Sequence, residues 1–582
     1  MNWRYFITLF FLVILFSTAS ALEGDEIEDI IDPILNADLR SPGIFGAVVS
    51  VVIDGEIVFI RGYGTADVDG TYPLDPHQTL LPIGSVSKLF TWEALHLLAD
   101  EGRVDFESDV NTYLNEPIIK ETYPEPITLH HLVTHTAGLD EVASGIFTQN
   151  PDEILPSFDA YARIQPNRVR PPGRIAAYSN IGGSLGGAVI EAVSKESYET
   201  YVTREILEPA NMRSTAVSEP MNEDLARHSP GTVLTEGIPV YSRYPPSGGI
   251  HSTAYDMGLY MIHRMEAGNG AYQQAFTHDE RLSGITAGGF NERLVKGNRV
   301  LWHAGDVPGT STLLAIVPDQ DIGIYVCYTG TDGPGERLNL MNAFLMSVLP
   351  EEGRAEVHEP VPGPKDAYAG RYLSSRTPAD GFERMVLILG RDEVFTRVVA
   401  DGEEILIGAA RYSEIEPGYF VGRNTHDRLV FAEIDGEEWL FMDSLPTIGW
   451  KRAPLSLAPE LHTLLLLFFG GIFLSGAVIG GKRVRETDDR ETKKTLILIT
   501  GVAGSAILFL LLFFGSIQFF GLLFGTPPFF SVIRAIPILT AGATGLLLLH
   551  LRHQRDAAGM LIAGVSILFL IWLHFWGMLL PV

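Results

Sequence analysis

One stretch decides how the first part of this chain folds, namely Ser85-Val86-Ser87-Lys88-Leu89-Phe90-Thr91-Trp92-Glu93-Ala94-Leu95-His96-Leu97-Leu98-Ala99-Asp100-Glu101-Gly102. Its apolar residues recur along one helix face, and Gly102 is a typical helix stop, so the pattern predicts a helix that begins at Ser85. Lys88 then lies one turn from Ser85 on the same face, where an amine can take the proton of the hydroxyl. The unpaired N–H groups at the helix start would face negative charge on a substrate carbonyl oxygen.

Two later segments carry residue types that suit the same site. Tyr178-Ser179-Asn180 follows Pro171-Pro172-Gly173, and residues two apart in an extended segment point the same way, so the phenol and the carboxamide would face one pocket. Trp302-His303-Ala304-Gly305 precedes a strand-like run over residues 313–317. We expect His303 to line the far wall of that pocket.

Taken in order, the triplets Ser-x-x-Lys, Tyr-x-Asn and His-x-Gly resemble the serine penicillin-recognising family, nearest to class C β-lactamases and their esterase and D-aminopeptidase relatives. The resemblance extends over about residues 25–350 and is also carried by residues 132–139, 246–249, 252–257 and 303–309. It implies an α+β, β-lactamase/transpeptidase-like fold, in which an antiparallel sheet is flanked by helices. The hairpin pattern over residues 45–62 and the apolar runs at 313–317 and 322–328 suit that sheet.

The resemblance also implies a reaction, in which Ser85 attacks an amide or ester carbonyl of a small molecule or peptide and forms an acyl-enzyme. Lys88 and Tyr178 would share the deprotonation of Ser85, although their unperturbed pKa values lie near ~10 and must be lowered for that task. Asn180 would orient Lys88 and the substrate amide. No cofactor and no metal are expected.

The third triplet supplies the remaining site residues that the resemblance implies. Beyond Gly305, the backbone N–H of Asp306 would complete the oxyanion hole with that of Ser85. His303 stands where many relatives carry lysine. Since an unperturbed imidazole titrates near pH ~6.5, we expect the pocket to lose a positive charge around neutral pH.

Other interpretations stay open. Gly182-Gly183-Ser184-Leu185-Gly186 matches the nucleophile elbow of an α/β-hydrolase, but the preceding residues are too short a run for the strand that this motif needs. His131 and His135 have the spacing of zinc ligands on a helix, but Leu132 stands where the metalloprotease glutamate would be, which favours structural histidines. The chain is alternatively a non-catalytic extracellular ligand sensor coupled to a membrane domain.

The 582-residue chain is long enough for several domains, and its 46% hydrophobic content indicates membrane segments. Arg4 precedes an apolar run, and Ala19-Ser20-Ala21 offers small residues for cleavage, so we expect a signal peptide over residues 1–21. Four later runs are each long enough to cross a bilayer, and they cover residues 461–480, 495–516, 529–550 and 557–579. They predict a four-helix transmembrane domain over residues 458–580.

Basic residues predict the orientation of these spans. They gather between the first two spans and between the last two, whereas the middle connection carries only Arg534; the residues are Lys482, Arg483, Arg485, Arg490, Lys493, Lys494, Arg552 and Arg555. Both basic connections are expected in the cytoplasm. We therefore expect a multi-pass protein of the cell membrane with its catalytic domain on the extracellular or periplasmic side.

The remaining sequence divides at a proline-rich stretch. We expect the hydrolase domain over residues 22–358 and a small β-rich domain over residues 365–455, with short alternating runs such as 385–389, 394–399 and 429–434 as its strands. No residue cluster in the β-rich domain looks chemical, so we expect it to be a spacer or a rim of the pocket. The net charge of −29 argues against nucleic acid as a partner; protein partners are not indicated.

Overall fold

The computed structural model describes residues 24–579, apart from residues 142–143, 218–219, 222, 227, 230–239, 269, 353–358, 380, 390–393, 424–426, 517–529 and 555. The expected signal peptide lies outside the described residues. In chain order, these residues form a region of sheet and helices, a closed β-barrel and four long apolar helices.

An antiparallel sheet is the centre of the first region. Strands of this region are β1 (Ile44–Ile53), β2 (Glu56–Gly64), β3 (Leu81–Pro82), β4 (Phe147–Thr148), β5 (Thr215–Ala216), β6 (Tyr241–Ser242), β7 (His251–Ser252), β8 (Gln274–Phe276), β9 (Ile285–Thr286), β10 (Asn291–Val295), β11 (Asn298–Val307), β12 (Thr310–Val317) and β13 (Ile322–Gly330). The main sheet has eight strands in the order β2-β1-β13-β12-β11-β10-β9-β8, so the predicted hairpin lies beside the predicted late strands. Two smaller sheets have the orders β3-β7-β5 and β4-β6.

Helices cover both faces of the main sheet, which explains why β12 and β13 are buried along their whole length. On one face, Val48 and Val52 of β1 belong to a core with the helix Ser87–Asp100, and on the other face Val49 and Val51 pack in a core that includes the first and last helices. Helices of this region are Gly24–Asp38, Ser87–Asp100, Leu129–Val133, Ser157–Ile164, Asn180–Ser194, Tyr198–Val202, Glu223–Ala226, Pro245–Gly248, Ala254–Ala267 and Gly333–Val348.

The small β-rich segment forms a closed eight-stranded barrel. Its strands are β14 (Gly370–Ser374), β15 (Phe395–Asp401), β16 (Glu404–Ile407), β17 (Ala410–Glu416), β18 (Tyr419–Gly422), β19 (Arg428–Ile434), β20 (Glu437–Met442) and β21 (Gly449–Arg452), and β14 pairs with β21 to close it. The strand predicted over residues 385–389 is wrong. That segment is a 3₁₀ turn, Phe382–Met385, followed by the helix Val386–Leu389.

The reason for that error lies in the membrane region. Met385, Leu387 and Ile388 pack in one apolar cluster with the long C-terminal helices, so their apolar run faces a helix bundle rather than the inside of a sheet. The four long helices are Pro459–Glu486, Arg490–Ser516, Phe530–Leu551 and Ala557–Phe575, and each is long and apolar enough to cross a membrane. Buried hydroxyls join them, as in the 2.7 Å hydrogen bond between Thr544 and Ser566. The chain is therefore membrane-associated.

Candidate active site

Ser85 lies at the centre of a 3₁₀ turn, Gly84–Val86, which leads directly into the helix Ser87–Asp100. Two hydrogen bonds of Ser87 stabilise the turn, because its Oγ donates to the Gly84 carbonyl at 2.6 Å and accepts from the Ile250 N–H at 3.2 Å. Gly84 has φ +53°, a conformation that residues with a Cβ rarely adopt. Ser85 is thus held rigidly at a helix N-terminus, as the sequence predicts.

Lys88 is fully buried one turn below Ser85. Its Nζ lies 3.1 Å from Ser85 Oγ, 2.8 Å from Asn180 Oδ1 and 2.7 Å from the carbonyl oxygen of Ser247. Burial lowers the pKa of Lys88 well below its usual value, because an ammonium ion loses its hydration there. Burial therefore favours the neutral amine more than in a solvated lysine.

Asn180 is the first residue of the helix Asn180–Ser194, and Ser179 caps that helix by accepting from the Gly182 N–H. Glu141 fixes the Asn180 amide, because one carboxylate oxygen accepts from both Asn180 N and Asn180 Nδ2 at 3.0 Å. A carboxylate only accepts hydrogen bonds here, so the amide oxygen must face Lys88. Glu141 is 7% exposed. It was not among the site residues predicted from the sequence.

Tyr178 places its ring beside both reactive groups. Lys88 Nζ lies 4.9 Å from the ring centroid, and the Tyr178 N–H donates to the carbonyl of Thr447, a barrel residue, at 3.0 Å. Burial raises the pKa of Tyr178, while the neighbouring Ser85 and Arg376 oppose that shift. Its hydroxyl is buried and makes no hydrogen bond of normal geometry with a described residue. Tyr178 is therefore a neutral phenol at physiological pH.

The backbone around Ser85 meets the backbone around Gly305 at close range. A Cβ atom on Gly305 would lie 2.8 Å from Ser85 N and 2.1 Å from the Ile83 carbonyl oxygen, so only glycine fits there. The backbone segments that carry Ser85 and Asp306 therefore lie side by side, and the oxyanion hole formed by their N–H groups stays a prediction.

Arg337 holds this second backbone segment. Its guanidinium makes two hydrogen bonds to the Asp306 carboxylate, at 2.6 and 2.8 Å, and donates to the Gly305 carbonyl at 2.8 Å. Because the pair is bidentate, the charge of Asp306 is balanced locally rather than left at the rim of the site. Arg337 comes from the helix Gly333–Val348, outside the three sequence triplets.

His303 lies on β11 with its imidazole ring 6.1 Å from the ring of Tyr178. The side chain is 2% exposed, and burial lowers the pKa of His303 to about 3. The expectation that this imidazole changes charge around neutral pH is therefore wrong. It rested on the value of a solvated imidazole, and the sequence gives no measure of burial at that position.

The other sequence candidates, Ser184, His131 and His135, do not form the nucleophile elbow or the zinc site considered for them. Ser184 is the fifth residue of the helix Asn180–Ser194 and is 1% exposed, so it lacks the exposed strand-to-helix turn of a nucleophile elbow. His131 Nδ1 accepts from the Thr128 N–H in a capping box, and His135 Nδ1 accepts from the Ser179 N–H. Within the described ranges, no cluster of three or more His, Cys, Asp or Glu residues suits a metal ion.

Arg376 is a further charged residue at this site that the sequence analysis missed. Its guanidinium carbon lies 5.0 Å from the centroid of the Tyr178 ring, and one guanidinium nitrogen lies 3.7 Å from the Glu141 carboxylate. Arg376 follows strand β14, so it belongs to the barrel. The barrel therefore lies beside the candidate site, which favours the rim of the pocket over a spacer.

Known proteins are similar to the first part of this chain. A profile of the Beta-lactamase family matches residues 28–345. The chain is 27% identical over 315 residues to Protein flp of Staphylococcus aureus strain MRSA252, an alignment that covers 51% of this chain and 62% of flp. It is 27% identical over 269 residues to Beta-lactamase-like protein 4 of Dictyostelium discoideum, covering 41% of this chain and 45% of that relative.

Solved structures show the same fold. The crystal structure of SurE with D-Leu is 21% identical in sequence, superposes with a TM-score of 0.50, and the alignment covers 74% of this chain and all of SurE. The predicted β-lactamase/transpeptidase-like fold is confirmed. The chain spans less than two thirds of the length of flp, so flp does not supply a function for the whole protein.

Proposed function

Because the chain belongs to the Beta-lactamase family, we propose that it is a membrane-bound serine hydrolase that cleaves an amide or ester bond through an acyl-enzyme on Ser85. The observation that carries the proposal is the geometry of Lys88. A neutral amine has two N–H groups and one lone pair. The Ser247 carbonyl and the Asn180 amide oxygen take the two N–H groups, which leaves the lone pair for the Ser85 hydroxyl.

In the proposed first step, Lys88 takes the Ser85 proton while Oγ forms a bond to the substrate carbonyl carbon. The N–H groups of Ser85 and Asp306 stabilise the negative charge on the carbonyl oxygen. Collapse of this intermediate breaks the bond to the leaving amine or alcohol. Tyr178, a neutral phenol beside Lys88, donates a proton to that leaving group and regains one from the lysine ammonium.

Water then attacks the acyl-enzyme, and Lys88, neutral again, accepts a proton from it. Lys88 returns that proton to Ser85 Oγ as the ester bond breaks, which releases the acid and restores the free serine. In this assignment the two residues expected as bases take different roles, because burial favours the neutral form of both Lys88 and Tyr178. A neutral amine is a base, whereas a neutral phenol is an acid. The four apolar helices would hold the enzyme in the membrane, with the basic connections in the cytoplasm and the site outside.

The pH dependence follows from these protonation states. As pH rises through the lowered pKa of Lys88, the fraction of neutral amine rises, so kcat/KM should rise and then stay level. His303, with a pKa of about 3, should add no step between about pH 5 and 9. We expect His303→Asn to keep the shape of the wild-type profile. A step near neutral pH that disappears in His303→Asn would contradict the assignment.

The substrate class needs direct measurement, because β-lactamases, D,D-peptidases, D-aminopeptidases and esterases share this set of groups. We favour peptidase or esterase activity, since a membrane anchor of four helices is unnecessary for an enzyme that destroys antibiotics. The full-length protein in detergent should be assayed with nitrocefin, a D-alanyl-D-alanine peptide, a D-amino acid amide and an aryl ester. Hydrolysis of at least one substrate that is lost in Ser85→Ala and kept in Ser184→Ala supports the proposal; hydrolysis that survives Ser85→Ala overturns it.

A non-catalytic sensor is the second candidate, favoured by a physical connection between site and membrane. Asp140, next to Glu141, accepts from the Ala379 N–H at 2.9 Å, and a few residues later Met385 packs among the membrane helices. A sensor would be acylated on Ser85 and stay acylated. Measuring the lifetime of the acyl-enzyme by intact mass separates the two functions, because an enzyme releases the acyl group between turnovers.

A further inference from the structure

We propose that Arg376, contributed by the barrel, is a substrate-binding residue of the Ser85 site and selects substrates that carry a carboxylate. The inference rests on the proposed function, because it names the substrate class of the same site. It starts from the cations around Ser85 and from the groups that already bind them.

Three cationic or potentially cationic groups near Ser85 are not free to bind an anion. A further one, His135 beside the Tyr178 ring, is buried, and burial lowers its pKa well below the usual value. Lys88 is buried and uses its N–H groups on Asn180 and Ser247. His303 is buried and its Nδ1 lies 2.8 Å from the Ala304 carbonyl oxygen. Arg337 is bound on two sides by the Asp306 carboxylate.

Arg376 differs from these three in its exposure and in its partners. Its side chain is 41% exposed, and its guanidinium donates no hydrogen bond of normal length to any residue in the described part of the chain. The nearest carboxylate, Glu141, lies 3.7 Å away and already accepts twice from Asn180. The planar guanidinium of an arginine can donate two parallel hydrogen bonds to a carboxylate. The guanidinium of Arg376 is available to bind a carboxylate in this way.

The backbone around Arg376 is fixed against the catalytic region rather than free to swing. Ser375, the preceding residue, donates its hydroxyl to the Ala176 carbonyl at 2.7 Å, and its own carbonyl accepts from Arg170 at 2.8 Å. Three residues later, the Ala379 N–H donates to Asp140 at 2.9 Å. Because both sides of Arg376 are anchored, its backbone is held beside Tyr178, and the guanidinium lies over the Tyr178 ring.

The overall charge of the protein makes such a residue necessary for an anionic substrate. A chain of net charge −29 repels anions in general. A carboxylate that enters the site therefore needs a local cation, and among the described groups Arg376 supplies it.

The test compares wild type, Arg376→Gln and Arg376→Lys, all full-length in detergent. Arg411→Gln is the matched control, because Arg411 lies on the same barrel with 43% side-chain exposure but pairs with Asp401 and Glu404. Two substrate pairs place the charge on either side of the scissile bond. The 4-nitrophenyl esters of glutaric and pentanoic acid vary the acyl group, and the 3-carboxyphenyl and phenyl esters of acetic acid vary the leaving group.

We expect Arg376→Gln to lower kcat/KM about 10- to 100-fold for the charged member of one pair, mainly through KM, as loss of charge-assisted hydrogen bonds predicts. The neutral member should change less than about 3-fold, since its binding uses no such bond. Arg376→Lys should recover part of the loss, and Arg411→Gln should leave both pairs unchanged. Equal effects on charged and neutral substrates, or no effect on either pair, would overturn the proposal.

Reaction with an uncharged fluorophosphonate separates this inference from the proposed function. If Arg376→Gln is labelled on Ser85 at the wild-type rate, the variant is folded and its nucleophile is intact. An activity change that does not depend on substrate charge then contradicts only the role proposed for Arg376. If wild type is not labelled on Ser85, the proposed function fails, and the substrate role fails with it.

Discussion

Lys88→Met should lower kcat on the order of 10³-fold and leave the protein folded. Methionine has a similar length and suits a buried position, but it has no lone pair that can accept the Ser85 proton at neutral pH. General-base catalysis contributes roughly 10²- to 10⁴-fold, and Lys88 also orders Asn180, so a value within that range is expected. The measurement is steady-state turnover of whichever substrate the wild type hydrolyses, together with a thermal melt by circular dichroism.

The control for this variant is Lys120→Met, since Lys120 is exposed and donates to Asn167 at 3.3 Å rather than to a residue of the Ser85 site. It should keep wild-type turnover. Lys88→Met with turnover within a factor of about 3 of wild type would show that another group activates Ser85, because a lost general base costs far more.

Gly305→Ala should lower kcat about 10²-fold or more and also destabilise the protein. The added Cβ would lie 2.1 Å from the Ile83 carbonyl oxygen and 2.8 Å from Ser85 N, so the two backbone segments must separate. Separation removes the Asp306 N–H from the position that the developing oxyanion needs, and loss of one such donor costs about 10²- to 10³-fold. Overpacking adds about 1 to 3 kcal/mol of destabilisation.

Gly335→Ala is the matched control, because Gly335 lies in the helix Gly333–Val348 and a Cβ there meets nothing within 4 Å. Replacing glycine by alanine in a helix gains up to about 1 kcal/mol, so this variant should be active and at least as stable as wild type. Wild-type activity in Gly305→Ala would show that the oxyanion is not bound between Ser85 and the strand that carries Gly305.

Much of the fold could be predicted from local sequence pattern. The apolar periodicity after Ser85 predicts the helix that ends at Asp100, and the hairpin and the late apolar runs predict β1, β2, β12 and β13. These elements are long, each keeps one hydrophobic period along its length, and they are buried in the folded protein. Tertiary contacts therefore reinforce the structure that the local pattern predicts. The run over 385–389 has an equally apolar pattern but packs on the membrane helices, and a short apolar run does not distinguish a strand from a buried helix.

The site could be predicted only in part, because sequence order locates motif residues but not their partners. Ser85, Lys88, Tyr178 and Asn180 stand in recognisable triplets, and the structure brings them into contact distance. Glu141 carries no motif of its own; its closeness to Gly138 in the family-like segment over residues 132–139 is the one signal that points to it.

Arg376 shows a second kind of limit. It lies almost two hundred residues after Tyr178 in sequence, and it reaches the ring only because the barrel docks against the catalytic region. No local pattern predicts how two domains dock. For His303 the missing quantity is burial, which removes the charge that a solvated imidazole would carry.

The most direct test of the account is to find which residue becomes acylated. Full-length wild type, Ser85→Ala and Ser184→Ala should be treated with a fluorescent penicillin and a fluorophosphonate, digested and mapped by mass spectrometry. We expect a covalent adduct of at least one probe on Ser85 in wild type and in Ser184→Ala, and none in Ser85→Ala. An adduct on Ser184, or labelling that persists in Ser85→Ala, would contradict it.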